Sequence, residues 1–162
     1  MGKGVTHVFS EIFVQLNFHC KNDRPLITPI IEAPLHAYLE AYCRQTPEVY
    51  FKAVGGTDGH VRIAFQMEPT LRLEIFIGPI KGSSSHEMNQ RFGVRTLHWQ
   101  RGYGVVSFAK RNLPGTIQYI HRQKEHHWLG TTRAALERHN DCEESDESDD
   151  EPEGLSQTDK PG

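Results

Sequence analysis

Hydrophobic residues crowd the segment Val8 to Phe18 (VFSEIFVQLNF), where β-branched and aromatic side chains predominate and predict a strand, ended by the turn-forming run Lys21-Asn22-Asp23-Arg24-Pro25. From Ile31 the period lengthens. Ile31, Leu35, Tyr38, Leu39 and Tyr42 recur at three- and four-residue spacing, predicting a helix that Thr28 caps and Pro29 opens, with Pro34 placed to kink it or delay its start. Val49 to Val54 returns to strand composition, GGTDG (Gly55 to Gly59) supplies a turn, and Val61, Ile63 and Phe65 alternate along the returning strand of a β-hairpin. Thr70 to Ile77 reads as a short helix broken near Gly78-Pro79, with Ser83 to Phe92 as a polar second piece. Leu97 to Gln100 and Tyr103 to Phe108 read as short strands, and Gly115 to about Arg138 as a last helix. This order fits an α+β fold, a ferredoxin-like antiparallel sheet with helices packed on it.

The chain is 162 residues long, 36% hydrophobic and 24% charged, a balance that suits one compact domain with some chain left over. That domain is expected to span residues 1–140. Residues 141–162 hold ten acidic residues and one lysine, and CEESDESDDEPEG within them has no aromatic or branched apolar side chain, so an acidic disordered tail is expected there. The tail hides the charge of the rest. In residues 1–140, 17 Lys and Arg stand against 11 Asp and Glu, a formal +6 beneath an overall −3. A basic body points to a polyanion such as nucleic acid, and equally to an ordinary solvated surface. No window approaches a membrane-spanning apolar run and the first residues lack the layout of an export signal, so a cytoplasmic protein with no membrane partner is expected. Cys20, Cys43 and Cys142 are too few and too widely spaced for a disulfide framework or a CxxC metal site, and are expected as reduced thiols.

Tyr119 and Gln123 lie four apart and leave one face of the predicted last helix. A tyrosine serves as a covalent nucleophile when a metal ion or base helps remove its proton and a second group stabilises the attacked centre, although amphipathic packing accounts for the same pair. His60 and Arg62 share a strand face opposite Val61, Ile63 and Phe65. A neutral imidazole at 60 suits a divalent ion, whereas a guanidinium at 62 repels metal and attracts phosphate, so the pair on its own reads as an anion-contacting strand. His126-His127 with His121 lacks the further ligands zinc needs, and helix-end histidines complementing the macrodipole are the simpler account. Trp99-Gln100-Arg101-Gly102-Tyr103-Gly104 interleaves rings, a cation and glycines. That is the composition of a single-strand contact, with bases stacked on rings and arginine on the backbone, and core aromatics flanking a turn fit it as well. Lys81, Lys110 and Arg111 extend the positive surface and Ser83 offers a phosphate donor, so these, with Arg62, Trp99, Arg101 and Tyr103, are the DNA-contact candidates.

Arg24-Pro25-Leu26-Ile27-Thr28, His36-Ala37-Tyr38-Leu39, Val54-Gly55-Gly56 leading to His60, Ile80-Lys81-Gly82-Ser83-Ser84, the Trp99 to Gly104 run and Tyr119-Ile120-His121-Arg122-Gln123 through His127 follow in a telling order. The series resembles the REP-associated tyrosine transposases, within the HUH single-strand transposases (the IS two-hundred class), from about His7 to His127. The resemblance implies a ferredoxin-like domain that cuts and rejoins single-stranded DNA beside hairpins through a 5'-phosphotyrosine, with a divalent metal, magnesium or manganese. Carried over residue by residue, it implies Tyr119 as nucleophile, His60 as the first histidine of the HUH motif and Gln123 as the helix-borne metal ligand. The implied partner is single-stranded or hairpin DNA, and family members occur as homodimers sharing sites and as single chains. Two positions depart from the pattern. Arg62 stands where a second histidine is expected, and Asp58-Gly59 where a Pro-Asp pair precedes the first. A cation in place of a ligand weakens metal binding, with Asp58 the oxygen donor at hand to replace it. Such a chain is expected either to cleave with weakened activity or to bind hairpin DNA as a domesticated protein that does not cleave.

Overall fold

Alternation decides which side of each strand meets the helices. Along β1 (Ile12–His19), Val14, Leu16 and Phe18 join Val61, Ile63, Phe65 and Met67 of β3 (His60–Met67) in the main core. Two helices cover that face: α1 (Pro29–Gln45) contributes Ile31, Leu35 and Leu39, and α2 (Leu73–Phe92) contributes Phe76, Ile77, Ile80 and Met88. The computed structural model describes residues 8–125. The acidic tail, His126-His127 and the far part of the expected last helix lie outside the described residues.

β2 (Val49–Gly56) and β4 (Gly104–Phe108) complete a four-stranded antiparallel sheet in the order β2-β3-β1-β4. This is the ferredoxin-like arrangement expected from the order of elements, with β1 and β3 as the central pair. Their register sets His19 opposite His60, Asn17 opposite Arg62 and Gln15 opposite Ala64. All six of these side chains leave the sheet on the side away from α1 and α2. A third helix, α3 (Leu113–His121), lies over that side, with Ile120 packed on Ala53 and Ala64. Gly55 permits the approach, because a Cβ there would stand 2.3 Å from the Ile120 carbonyl oxygen.

Several local expectations give way to packing. β1 starts at Ile12 rather than Val8, and Val8 and Phe9 are exposed. Thr28 is the residue before α1, yet only its carbonyl caps, accepting from the Ile31 and Glu32 N–H groups, with no side-chain hydrogen bond. Neither Pro34 nor Pro79 breaks its helix. α2 runs unbroken through Gly78-Pro79 because Phe76, Ile77, Ile80, Ser84 and Met88 form one buried stripe across the proline, and burial of that stripe outweighs one missing N–H. The expected strand at Leu97 to Gln100 is reduced to a single bridge between Trp99 and Cys20. α3 begins two residues earlier than expected and ends at His121, with Arg122 at non-helical dihedrals before helical backbone resumes at Gln123.

Cys20 and Cys43 are free and buried, and burial pushes their thiols up to about 11 and about 12. Thiolate is the reactive form. Iodoacetamide at pH 8 is therefore expected to leave both unmodified in the folded protein and to label both after denaturation. Peptide mapping reads this out, and labelling of either thiol at the native stage would contradict their burial.

Candidate functional site

The polar side of the sheet carries the chemistry. His60 opens β3 directly after the Thr57 to Gly59 turn, where the Thr57 N–H donates to the His60 carbonyl at 3.0 Å. The Thr57 hydroxyl accepts from the Gly59 N–H at 3.3 Å and lies 2.9 Å from His60 Nδ1. The Gln123 amide oxygen facing Nε2 can only accept, which puts the ring proton on Nε2 and leaves Nδ1 to accept from the Thr57 hydroxyl. Nε2 then donates to Gln123 Oε1 at 3.0 Å.

Gln123 Oε1 receives a second bond, from Arg62 Nε at 2.6 Å, while Gln123 Nε2 donates to the Tyr119 carbonyl at 3.0 Å. The Arg62 guanidinium stands 5.8 Å from the centre of the Tyr119 ring. His60, Arg62, Tyr119 and Gln123 are thus brought into one constellation, from β3, α3 and the helical residues that follow Arg122. Tyr119 and Gln123 were expected on one unbroken helix. They remain together across the irregular Arg122 because the Gln123 amide binds back to the Tyr119 carbonyl.

The constellation is sealed. Arg62 and Gln123 have no exposed surface, Tyr119 retains 2% and His60 3%. Burying a guanidinium is costly, and the bond from its Nε to an amide oxygen, together with the tyrosine ring, offsets part of that cost.

A divalent ion would need lone pairs from His60 and Gln123. In this network the facing ring nitrogen of His60 carries a proton, both lone pairs of Gln123 Oε1 are taken, and a permanent cation adjoins the oxygen. Asp58, the donor at hand in the sequence, joins no group of three or more His, Cys, Asp or Glu able to hold a metal among the described residues. The residues present do not fit a divalent metal centre.

Sequence reasoning missed His19. It ends β1, stacks on His60 with ring centroids 5.1 Å apart, and places Nδ1 3.1 Å from the Asp23 carboxylate. The signal was there: Gln15, Asn17 and His19 recur every second residue in an otherwise apolar strand.

The other candidates lie elsewhere. Trp99, expected to offer its ring to bases, is spent in the core: it meets Phe18 edge-on at 4.5 Å, and its indole N–H donates to Ser84 Oγ at 3.0 Å. Tyr103 is half-buried against the same core. Lys81, expected on phosphate, donates instead to the Gln100 and Gly102 carbonyls at 2.7 and 2.6 Å, and burial lowers its pKa from the ordinary lysine value. The Ser83 hydroxyl is buried in α2 without a hydrogen-bond partner. Arg101 is exposed beside Gly102, whose φ of 78° turns the chain. Lys110 and Arg111 are exposed in the short turn before α3, with Lys110 paired to Glu11 at 2.6 Å. No helix among the described residues is long and apolar enough to cross a membrane.

No curated protein matches the chain. Among solved structures, a protein assigned as a transposase in Deinococcus radiodurans R1 is similar at 19% identity and a TM-score of 0.58, covering 76% of this chain and 98% of its own. A REP-associated tyrosine transposase bound to a REP hairpin is similar at 14% identity and a TM-score of 0.56, covering 78% of this chain and 74% of its own. Both share the fold of a four-stranded antiparallel sheet with helices packed on it. The IS200-like transposase family matches residues 8–123, from the approach to β1 through Gln123, and the chain belongs to that family.

Proposed function

We propose that this chain is a transposase-family protein that binds single-stranded and hairpin DNA and does not perform metal-dependent strand cleavage. One observation carries the reading: Gln123 Oε1 accepts from His60 and Arg62 together, so both groups a metal would use are committed to each other. The burial of Tyr119 points the same way, since a phenol that attacks phosphorus must first reach a phosphate. DNA as the partner is supported by family membership, by the hairpin bound to one structural relative, and by the formal +6 on residues 1–140.

The cleaving alternative, through a 5'-phosphotyrosine on Tyr119, has one observation in its favour. Tyr119, His60 and Gln123 converge as the resemblance implies.

Incubation of the protein with a labelled DNA hairpin carrying a single-stranded extension, with and without manganese, separates the two. The expected result is retention that weakens steeply as salt rises, is indifferent to manganese or a chelator, and leaves no covalent adduct. A manganese-dependent adduct that survives denaturation and disappears in Tyr119→Phe would overturn the binding-only reading.

A further inference from the structure

We infer that the groove between α2 and the segment from Leu97 to Arg101 holds a single DNA strand, with Arg101, Lys21 and Arg24 contacting its phosphates. The inference rests on the DNA-binding reading above and says where that binding occurs.

The groove measures about 330 Å³, within the range of sites that enclose small ligands and enough for one nucleotide at a time. Its α2 wall is formed by Lys81, Gly82, Ser85 and Asn89, whose spacing puts them on one face of the helix. At Gly82 that wall is bare backbone, and a Cβ added there meets nothing within 4 Å. A long side chain would have closed the groove.

The opposite wall is held in shape from α2 at two points. Lys81 binds the Gln100 and Gly102 carbonyls, and the Asn89 amide binds Leu97 twice, donating to its carbonyl at 3.0 Å and accepting from its N–H at 2.7 Å. With Lys81 committed to carbonyls, the charge left on this wall is that of exposed Arg101, between the two carbonyls Lys81 holds.

A second basic segment adjoins it. The Lys21 N–H donates to the His98 carbonyl at 2.9 Å, which sets the turn carrying Lys21 and Arg24 beside the groove. None of Arg101, Lys21 and Arg24 has an ion pair among the described residues, whereas Arg44, Arg72, Arg91 and Lys110 each face a carboxylate. Asp23, in the same turn, is engaged by His19. Cations without a direct carboxylate partner, gathered beside a groove, are the electrostatic footprint of a polyanion.

The Gln100 N–H donates to the His19 carbonyl at 2.8 Å, at the sheet end where His19 stacks on His60. That bond joins the loop wall of the groove to the end of β1.

Two substitutions test the site in opposite ways, with binding measured for a blunt hairpin and for the same hairpin with a single-stranded extension. Arg101→Ala is expected to weaken binding of the extended hairpin about tenfold and to lower its log-log salt slope by about 0.7, the loss of one single-strand phosphate contact. Gly82→Leu fills the groove and improves helix propensity, so it is expected to melt no lower than the parent and yet bind the extended hairpin about tenfold more weakly. Arg72→Ala, a charge removed elsewhere, is expected to change neither ligand. If both groove variants bind the extended hairpin as the parent does, the groove is not the site and the DNA-binding reading stands. If the parent binds neither ligand, both fall.

Discussion

Gly55→Ala is expected to destabilise the protein by about 3 kcal/mol, toward the upper end of what overpacking costs, and to lower the melting temperature by roughly 10 °C. The reason is the contact between β2 and α3. The added Cβ would fall 2.3 Å from the Ile120 carbonyl oxygen and 3.0 Å from its carbon, and both are backbone atoms that no rotamer change can withdraw. Only a shift of the whole helix relieves the overlap. That shift would unpack Ile120 from Ala53 and Ala64, and it would carry Tyr119 and the following Gln123 away from His60 and Arg62. Gly115→Ala provides the internal control on the same helix. A Cβ there meets nothing within 4 Å, so helix propensity alone acts and a gain of up to about 1 kcal/mol is expected. Thermal unfolding followed by circular dichroism measures both. A Gly55→Ala protein that melts with or above the parent would mean that α3 does not rest on β2 at this distance.

The same glycine illustrates what could be read from the sequence. The hairpin was legible, but its turn reads as Gly55 to Gly59, whereas β2 runs through Gly56 and pairs Gly55 with Arg62; the alternation of Val61, Ile63 and Phe65 was enough to put His60 and Arg62 together on the opposite face. That Gly55 faces a helix from far along the chain was not legible, because a strand glycine looks the same whether it bends, bulges or receives a neighbour. Trp99 and Lys81 show a related limit. Their composition fits a nucleic-acid contact and a pinned loop equally, and the choice rests on Ser84, Phe18 and two backbone carbonyls brought in by the fold. Pro79 misled for an energetic reason: a local rule about one hydrogen bond lost to a buried stripe spanning it. The row Gln15, Asn17, His19 was the signal left unused. Three polar residues on alternate positions of a buried central strand mark a side of the sheet covered by something other than a plain apolar core, and His60 and Arg62 continue that row on the partner strand.

Arg62→His is expected to create a metal site that the parent does not have. On β3, positions 60 and 62 project from one face, and Gln123 Oε1 already lies within hydrogen-bond distance of both side chains. Replacing the guanidinium by an imidazole removes the positive charge beside that oxygen, frees one of its lone pairs and supplies a second nitrogen donor. His60 can then surrender its Nε2 proton, since the hydroxyl of Thr57 can accept from Nδ1 as readily as donate to it. Loss of a single supporting partner around a bound metal costs 10- to 100-fold in affinity. Exchanging a repelling cation for a ligand is therefore expected to raise manganese affinity by more than about 100-fold. Electron paramagnetic resonance of free manganese titrated with each protein measures this without reference to DNA. The variant also relinquishes a guanidinium with no solvent exposure, so a fold that survives the change is expected to bind metal at 25 °C even if it melts lower. Gln123→Ala in the Arg62→His background is expected to take most of the gained affinity away, which ties the metal to this oxygen. Should the parent bind manganese as tightly as Arg62→His does, the buried arginine is no barrier to the ion, and the binding-only reading loses the observation that carries it.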